Sequence, residues 1–159
     1  MQLTRFTDLG VRVLMYLSSP RAADAPLATV GEISEQFAVS HHHLVKVANI
    51  LAQHGWIHAA RGKGGGLRLA HAPSDIPFGA VVRLLEGDGD LIDCADPPCA
   101  LRGGCNVKSV LDVARDAFFA ALDRYTLADI TAGGTGEKLA RIQFHPPARA
   151  GSGAPAAAR

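Results

Sequence analysis

The sequence predicts a mainly α-helical protein with one small β-hairpin: a winged helix-turn-helix followed by a long dimerisation helix. Three observations carry that expectation. Two apolar-periodic segments are joined by a tight turn between Thr29 and Gly55, a glycine-rich hairpin signature follows at once, and a long amphipathic run lies beyond it.

In order along the chain, residues from about 7 to 19 carry Phe6, Leu9, Val13, Leu14 and Leu17 at helical spacing. The stretch PRAADAPLA then breaks the helix. Thr29-Val30-Gly31-Glu32 reads as a capping box, with Thr29 as N-cap and Glu32 at the third helical position, and it opens a short helix through Phe37. Ala38-Val39 make the turn. Ser40 is expected to cap the next helix, which carries Leu44, Val45, Val47, Ile50 and Leu51 and stops at Gly55. Trp56 to Ala60 and Leu67 to Ala70 read as paired strands around the tip Arg61-Gly62-Lys63-Gly64-Gly65-Gly66, which is the wing.

Pro77 to about Glu86 form a further helix with Val81, Val82, Leu84 and Leu85 apolar. After a cysteine-bearing loop, residues from about 107 to 124 place Val107, Val110, Leu111, Ala114, Ala117, Phe118, Ala121, Leu122 and Tyr125 on one face. A helix of that length spans roughly 27 Å, too long to bury against one small module, which points to dimerisation. Thr126 to Asp129 restart a helical turn. From about Gly133 the Gly/Ala/Pro-rich sequence is expected to be disordered. The expected organisation is therefore a DNA-binding winged helix-turn-helix over 1–72, a connecting helix and cysteine loop over 73–106, a dimerisation helix over 107–130 and a disordered tail over 131–159.

A chain of 159 residues with 48% hydrophobic residues suits one ordinary domain. The N-terminus lacks an apolar signal segment, and the apolar runs are too short for a bilayer, so a cytoplasmic location is expected. Net charge is +1, but residues 1–70 carry a net +3 and five of the seven histidines, whereas residues 71–130 carry a net −5. A basic first half fits an anion-binding module without identifying the anion.

The candidate reading helix presents Ser40, His41, His42 and His43 in its first turn and Lys46 one turn on. Polar groups there suit base edges and phosphates of a double-stranded DNA major groove. Three consecutive imidazoles cannot share one metal ion, because neighbours on a helix point about 100° apart. At the wing, Arg61 suits a narrow minor groove, and Lys63 is the second cation expected to contact DNA. Thr4 and Arg5, before the first helix, complete the expected DNA contacts. The wing glycines do not make a nucleotide-binding loop, since no Ser/Thr follows the lysine and no helix follows the glycines.

The three cysteines, Cys94, Cys99 and Cys105, all lie within DCADPPCALRGGC, where prolines and glycines preclude a continuous helix or strand. An odd count without export points away from a disulfide framework and toward metal or redox chemistry. The spacing C-x4-C-x5-C leaves an iron–sulfur cluster, structural zinc and a thiol switch (with Cys94 and Cys99 pairing and Cys105 resolving) all open. A thiol-based redox enzyme lacks support, because there is no C-x2-C and no histidine close in sequence to activate a thiolate. No catalytic residue is assigned, and an enzyme is not expected.

QLTRFTDLGVRVLMYL, VSHHHLVK, RGKGGGLRL, the three cysteines and LDRYTLADI occur in one order over residues 1–130, and together they resemble the winged-helix iron–sulfur transcription regulators, particularly their nitric-oxide-responsive repressors. The resemblance implies a homodimer with one cluster per subunit on Cys94, Cys99 and Cys105, binding an operator and releasing it on reaction with nitric oxide. Regulators of cluster biogenesis in the same group supply a histidine three residues after the last cysteine. Here that residue is Lys108, whose ammonium cannot ligate iron. The nitric-oxide-responsive members use a carboxylate from the first helix of the partner, a position that Asp8 occupies. An aspartate there also suits the positive end of a helix dipole. Three thiolates and one carboxylate match one ligand per iron of a [4Fe-4S] cube, with [2Fe-2S] as the alternative. The histidine-rich start of the reading helix departs from the usual pattern, which puts the operator preference in doubt.

Overall fold

The computed structural model describes residues 2–20, 26–87 and 89–144. Seven helices and one hairpin follow in the order α1 (Arg5–Ser18), α2 (Val30–Phe37), α3 (His41–Gln53), β1 (Ile57–Ala60), β2 (Gly66–Leu69), α4 (Phe78–Glu86), α5 (Asn106–Leu122), α6 (Leu127–Ile130) and α7 (Gly134–Phe144), with a short 3-10 turn at Pro73–Asp75 before α4.

Local chemistry starts these helices. Thr4 caps α1, its hydroxyl accepting from the Thr7 amide. The capping box of α2 forms as the spacing predicts: the Glu32 amide donates to Thr29 Oγ1 at 3.1 Å, and the Glu32 carboxylate receives the Thr29 amide. Ala38 ends α2 in a left-handed conformation at φ 51°. The turn to α3 is closed by Ser34, whose carbonyl accepts the Val39 amide at 3.1 Å and whose hydroxyl donates to the Val39 carbonyl at 2.6 Å. Ser40 stands at the N-cap of α3 but makes no side-chain capping bond, so the expected cap is positional only.

The hairpin is antiparallel, with Ile57 opposite Leu69 and Ala60 opposite Gly66. Ala28 adds an isolated bridge to Leu67, extending the wing sheet toward the segment before α2. One core gathers Leu9, Val13, Leu14 and Tyr16 from α1, Ile33 from α2, and Leu44, Val47 and Leu51 from α3, with Ile57 and Leu67 from the wing and Val81 and Leu85 from α4. Helix α1 packs on α3 and α4, so it connects the reading helix to the helix that leads into the cysteine loop. Gly10 permits the close approach to α4, since a Cβ there would collide with the Leu85 side chain.

Three expectations are corrected. Val45 is exposed rather than part of the apolar face of α3. Helix α5 buries no residue completely; Val107, Val110 and Val113 are 62%, 66% and 70% exposed, while Leu111, Phe118 and Leu122 are half-buried. The apolar stripe is thus narrower and rotated, and it includes Val113. Finally, residues 134–144 of the expected disordered tail form α7: Leu139 is 3% exposed, Ile142 packs on the core, and Gln143 donates to the Tyr16 carbonyl at 2.7 Å. Residues 145–159 of that tail, and residues 21–25 of the break after α1, lie outside the described residues.

Candidate functional site

Two surfaces carry the sequence-derived candidates. The first is built by α3 and the wing. Leu44, Val47, Ala48 and Leu51 anchor α3 in the core, which turns His41, His42, His43, Lys46 and Asn49 to solvent. At about 100° per residue the three histidines do not form one row; His42 lies opposite the buried face, with His41 and His43 on its flanks. Ser40, Arg5, Arg61 and Lys63 are exposed. The wing tip turns through Gly62 and Gly64, at φ 93° and 82°, and is closed by the Gly65 amide on the Gly62 carbonyl at 2.9 Å. His58 and Arg68 face each other across the strands and are also exposed, adding an imidazole and a guanidinium that the sequence reading did not single out. Thr4 is exposed, but its hydroxyl is engaged as the α1 cap and its amide donates to Glu86 Oε1 at 2.6 Å.

The second surface is the cysteine loop between α4 and α5. Asp93 opens it by accepting the amides of Ala95 (2.7 Å) and Asp96 (3.2 Å), which hold its carboxyl below the usual range, the Ala95 bond foremost. Turns follow through the Cys99 amide on the Cys94 carbonyl and the Arg102 amide on the Cys99 carbonyl. A pocket of about 540 Å³ lies between this loop and the start of α5, lined among others by Cys94, Cys105, Arg102 and Lys108. Cys94 and Cys105 are half-buried in it. Cys99 is exposed on the turn outside.

All three cysteines are free, but among the described residues no group of three His, Cys, Asp or Glu side chains converges on one point. The donor set nevertheless suits a metal–sulfur group. Three soft donors sit on a turn-only backbone, and Cys105 is the N-cap residue of α5, its side chain making no capping bond. Lys108 does not approach as a ligand. Its ammonium binds Asp90 and Asp112 at 3.0 Å each, and those bonds, to Asp90 first, raise its pKa. Asp8 is exposed in the first turn of α1 and paired with Arg12 at 2.9 Å. It does not join the cysteines of its own chain in a metal-binding group. The sequence reading missed Asp90, Asp93 and Asp112 around the pocket. Only Asp93 left a trace, as an Asx residue two positions before the amide it caps.

A helix-turn-helix with a basic wing, joined to a thiol-bearing loop, defines a DNA-binding transcription regulator. The chain belongs to the Rrf2 family, described as iron-dependent transcriptional regulators, whose model matches residues 3–133. It is 42% identical over 147 residues to the HTH-type transcriptional repressor NsrR of Streptomyces coelicolor, covering 92% of this chain and 99% of that one. It is 40% identical to the HTH-type transcriptional regulator NsrR of Bacillus subtilis over 82% of this chain and 90% of that one. Among solved structures it resembles the cysteine regulator CymR of B. subtilis, with a TM-score of 0.64 at 24% identity over 82% of this chain and 95% of that one. It also resembles IscR of T. potens, with a TM-score of 0.62 at 25% identity over 82% and 85%. No described helix is long and apolar enough to cross a membrane.

Proposed function

We propose that the protein is a cytoplasmic, homodimeric repressor that holds an operator duplex while each subunit carries an iron–sulfur cluster, and that nitric oxide releases it from DNA. The observation that carries this reading is the placement of all three thiols of the chain in one turn-rich loop that ends at the N-cap of α5. Its likeness to two proteins named NsrR supports the repressor assignment.

Cys94, Cys99 and Cys105 would supply three thiolates, and Asp8 of the partner subunit a fourth, harder ligand. When bound, the cluster supplies iron that reacts with nitric oxide; four ligands give one per iron of a [4Fe-4S] cube, the form proposed here, and would equally give two per iron of a [2Fe-2S] form. The chain's own residues prepare the site. Lys108 holds Asp90 and Asp112, so both carboxylates are charge-paired in the pocket that Cys94 and Cys105 also line. Arg12 orients Asp8 from the next turn of α1. A tie from the loop to the partner's first helix fixes the separation of the two α3 helices, and operators with half-sites roughly 34–36 Å apart require that separation to be constant. Without the tie the reading helices lose their register.

Purification without oxygen, followed by absorption spectra, iron content and operator gel shifts before and after nitric oxide, tests this reading. Coloured, iron-containing protein that loses its duplex after nitric oxide is expected. Colourless, iron-free protein that binds equally well overturns it in favour of a thiol switch or a metal-free regulator, and zinc in place of iron excludes the redox centre. An Asp8→Ala variant with an unchanged spectrum and unchanged release removes Asp8 from the ligand set.

A further inference from the structure

The outward face of α3 contains more than its histidines and lysine. His42, Val45, Lys46 and Asn49 follow the i, i+3, i+4, i+7 spacing and fall within an arc of about 100°, directly opposite Leu44, Val47, Ala48 and Leu51 in the core. Val45 is a branched apolar side chain left 36% exposed at one edge of this face. Packing among the described residues does not account for it. Among the described residues, neither the Asn49 amide nor the Lys46 ammonium has a hydrogen-bond or ion-pair partner.

We propose that Val45 and Asn49 are base-reading residues, and that each recognised half-site contains a thymine whose methyl packs on Val45 and an adenine read by Asn49. This rests on the DNA-binding reading above and deepens it. The chemistry is specific. An asparagine amide matches adenine N6 and N7 with two hydrogen bonds, and in the major groove only thymine offers a methyl group to an apolar side chain. Lys46 and the flanking His41 and His43 are placed for phosphates, and they add affinity with little discrimination between A·T and G·C. Asn49 lies two turns into the helix, so its base is further along the groove than those met by the first turn. The cations of the wing, Arg61 and Lys63, supply the sequence-independent hold that keeps α3 in register.

The test uses full-length protein purified without oxygen and a library of randomised duplexes. The duplex that the wild type enriches is then remade with each half-site A·T changed to G·C, and separately with each thymine replaced by uracil to remove its methyl. Wild type should lose roughly tenfold or more at one adenine position, whereas Asn49→Ala should bind both duplexes alike. It should lose roughly three- to fourfold at one thymine when the methyl is removed, whereas Val45→Ala should be indifferent to that change. Both positions are on the surface, so thermal melts of the variants should match wild type. Lys46→Ala serves as the contrast, weakening all duplexes evenly and lowering the salt dependence by about one charge. If Val45→Ala and Asn49→Ala enrich the wild-type motif and keep the wild-type penalties, the assignment fails while DNA binding stands. If the wild type enriches no duplex, DNA binding fails and this assignment with it.

Discussion

Asp123 ends α5, yet its carboxylate belongs energetically to α4. Arg83 grips it with two N–H groups, Nη1 at 2.8 Å, while the same guanidinium stacks 4.8 Å from the Phe119 ring centre. Gly79 leaves room for the carboxylate, since a Cβ there would collide with Asp123. The Arg83 bonds hold the Asp123 carboxyl below its ordinary pKa. The stabilisation is therefore complete above the ordinary carboxylate value of about 4 and lost as pH falls through the depressed one. Wild type should melt above Asp123→Asn at pH 7, and the two should converge in acid; a gap in Tm independent of pH would mean that the charge contributes nothing. Gly10 poses a different contest. Replacing a helical glycine by alanine gains about 1 kcal/mol in propensity, but overpacking against Leu85 costs about 1–3 kcal/mol. Gly10→Ala should lose about 1 kcal/mol in urea unfolding, and a gain would show that Leu85 moves aside freely.

Elements defined by neighbouring residues were legible in the sequence. The capping box at Thr29 and Glu32, the helical restart from Thr126 to Asp129, the glycine-rich wing and the amphipathic period of α5 all follow from contacts within a few residues. What the sequence hid depends on contacts across the chain. Helix α7 is too poor in apolar residues to stand out, and it is held by Leu139, Ile142 and the bond from Gln143 to a carbonyl 127 positions earlier. The apolar spacing of α3 included Val45, because periodicity finds a face but not its edge. The clamp of Lys108 on Asp90 and Asp112 required the loop to fold back on α5, and the cysteine spacing alone could not reveal it. Leu139→Ala tests the α7 assignment. Removing a leucine side chain that is 3% exposed should cost about 2–4 kcal/mol in urea unfolding, whereas a free tail would lose nothing.

At the scale of the whole molecule, α5 turns two faces to two tasks. Lys108, Asp112 and Arg115 look toward the cysteine loop, where Arg115 lies 3.6 Å from Asp90. On the opposite side Val107, Val110, Val113, Ala114 and Ala117 make an apolar stripe that none of the described residues covers. In the proposed homodimer a second α5 covers that stripe about a twofold axis, so any residue near the axis meets its own copy. A charge introduced there is doubled at once, and like charges are buried together. Val110→Glu or Val113→Glu should therefore convert the dimer to a monomer in sedimentation at micromolar concentration. Each half-site contact is made by a single α3 and wing, so affinity for a duplex with one half-site should be nearly unchanged. Affinity for a duplex with two half-sites should fall at least tenfold, because the second contact is no longer delivered by the first. A variant that stays dimeric would place the twofold axis elsewhere, and a monomer that keeps the two-site affinity would show that pairing through α5 does not set the spacing of the reading helices.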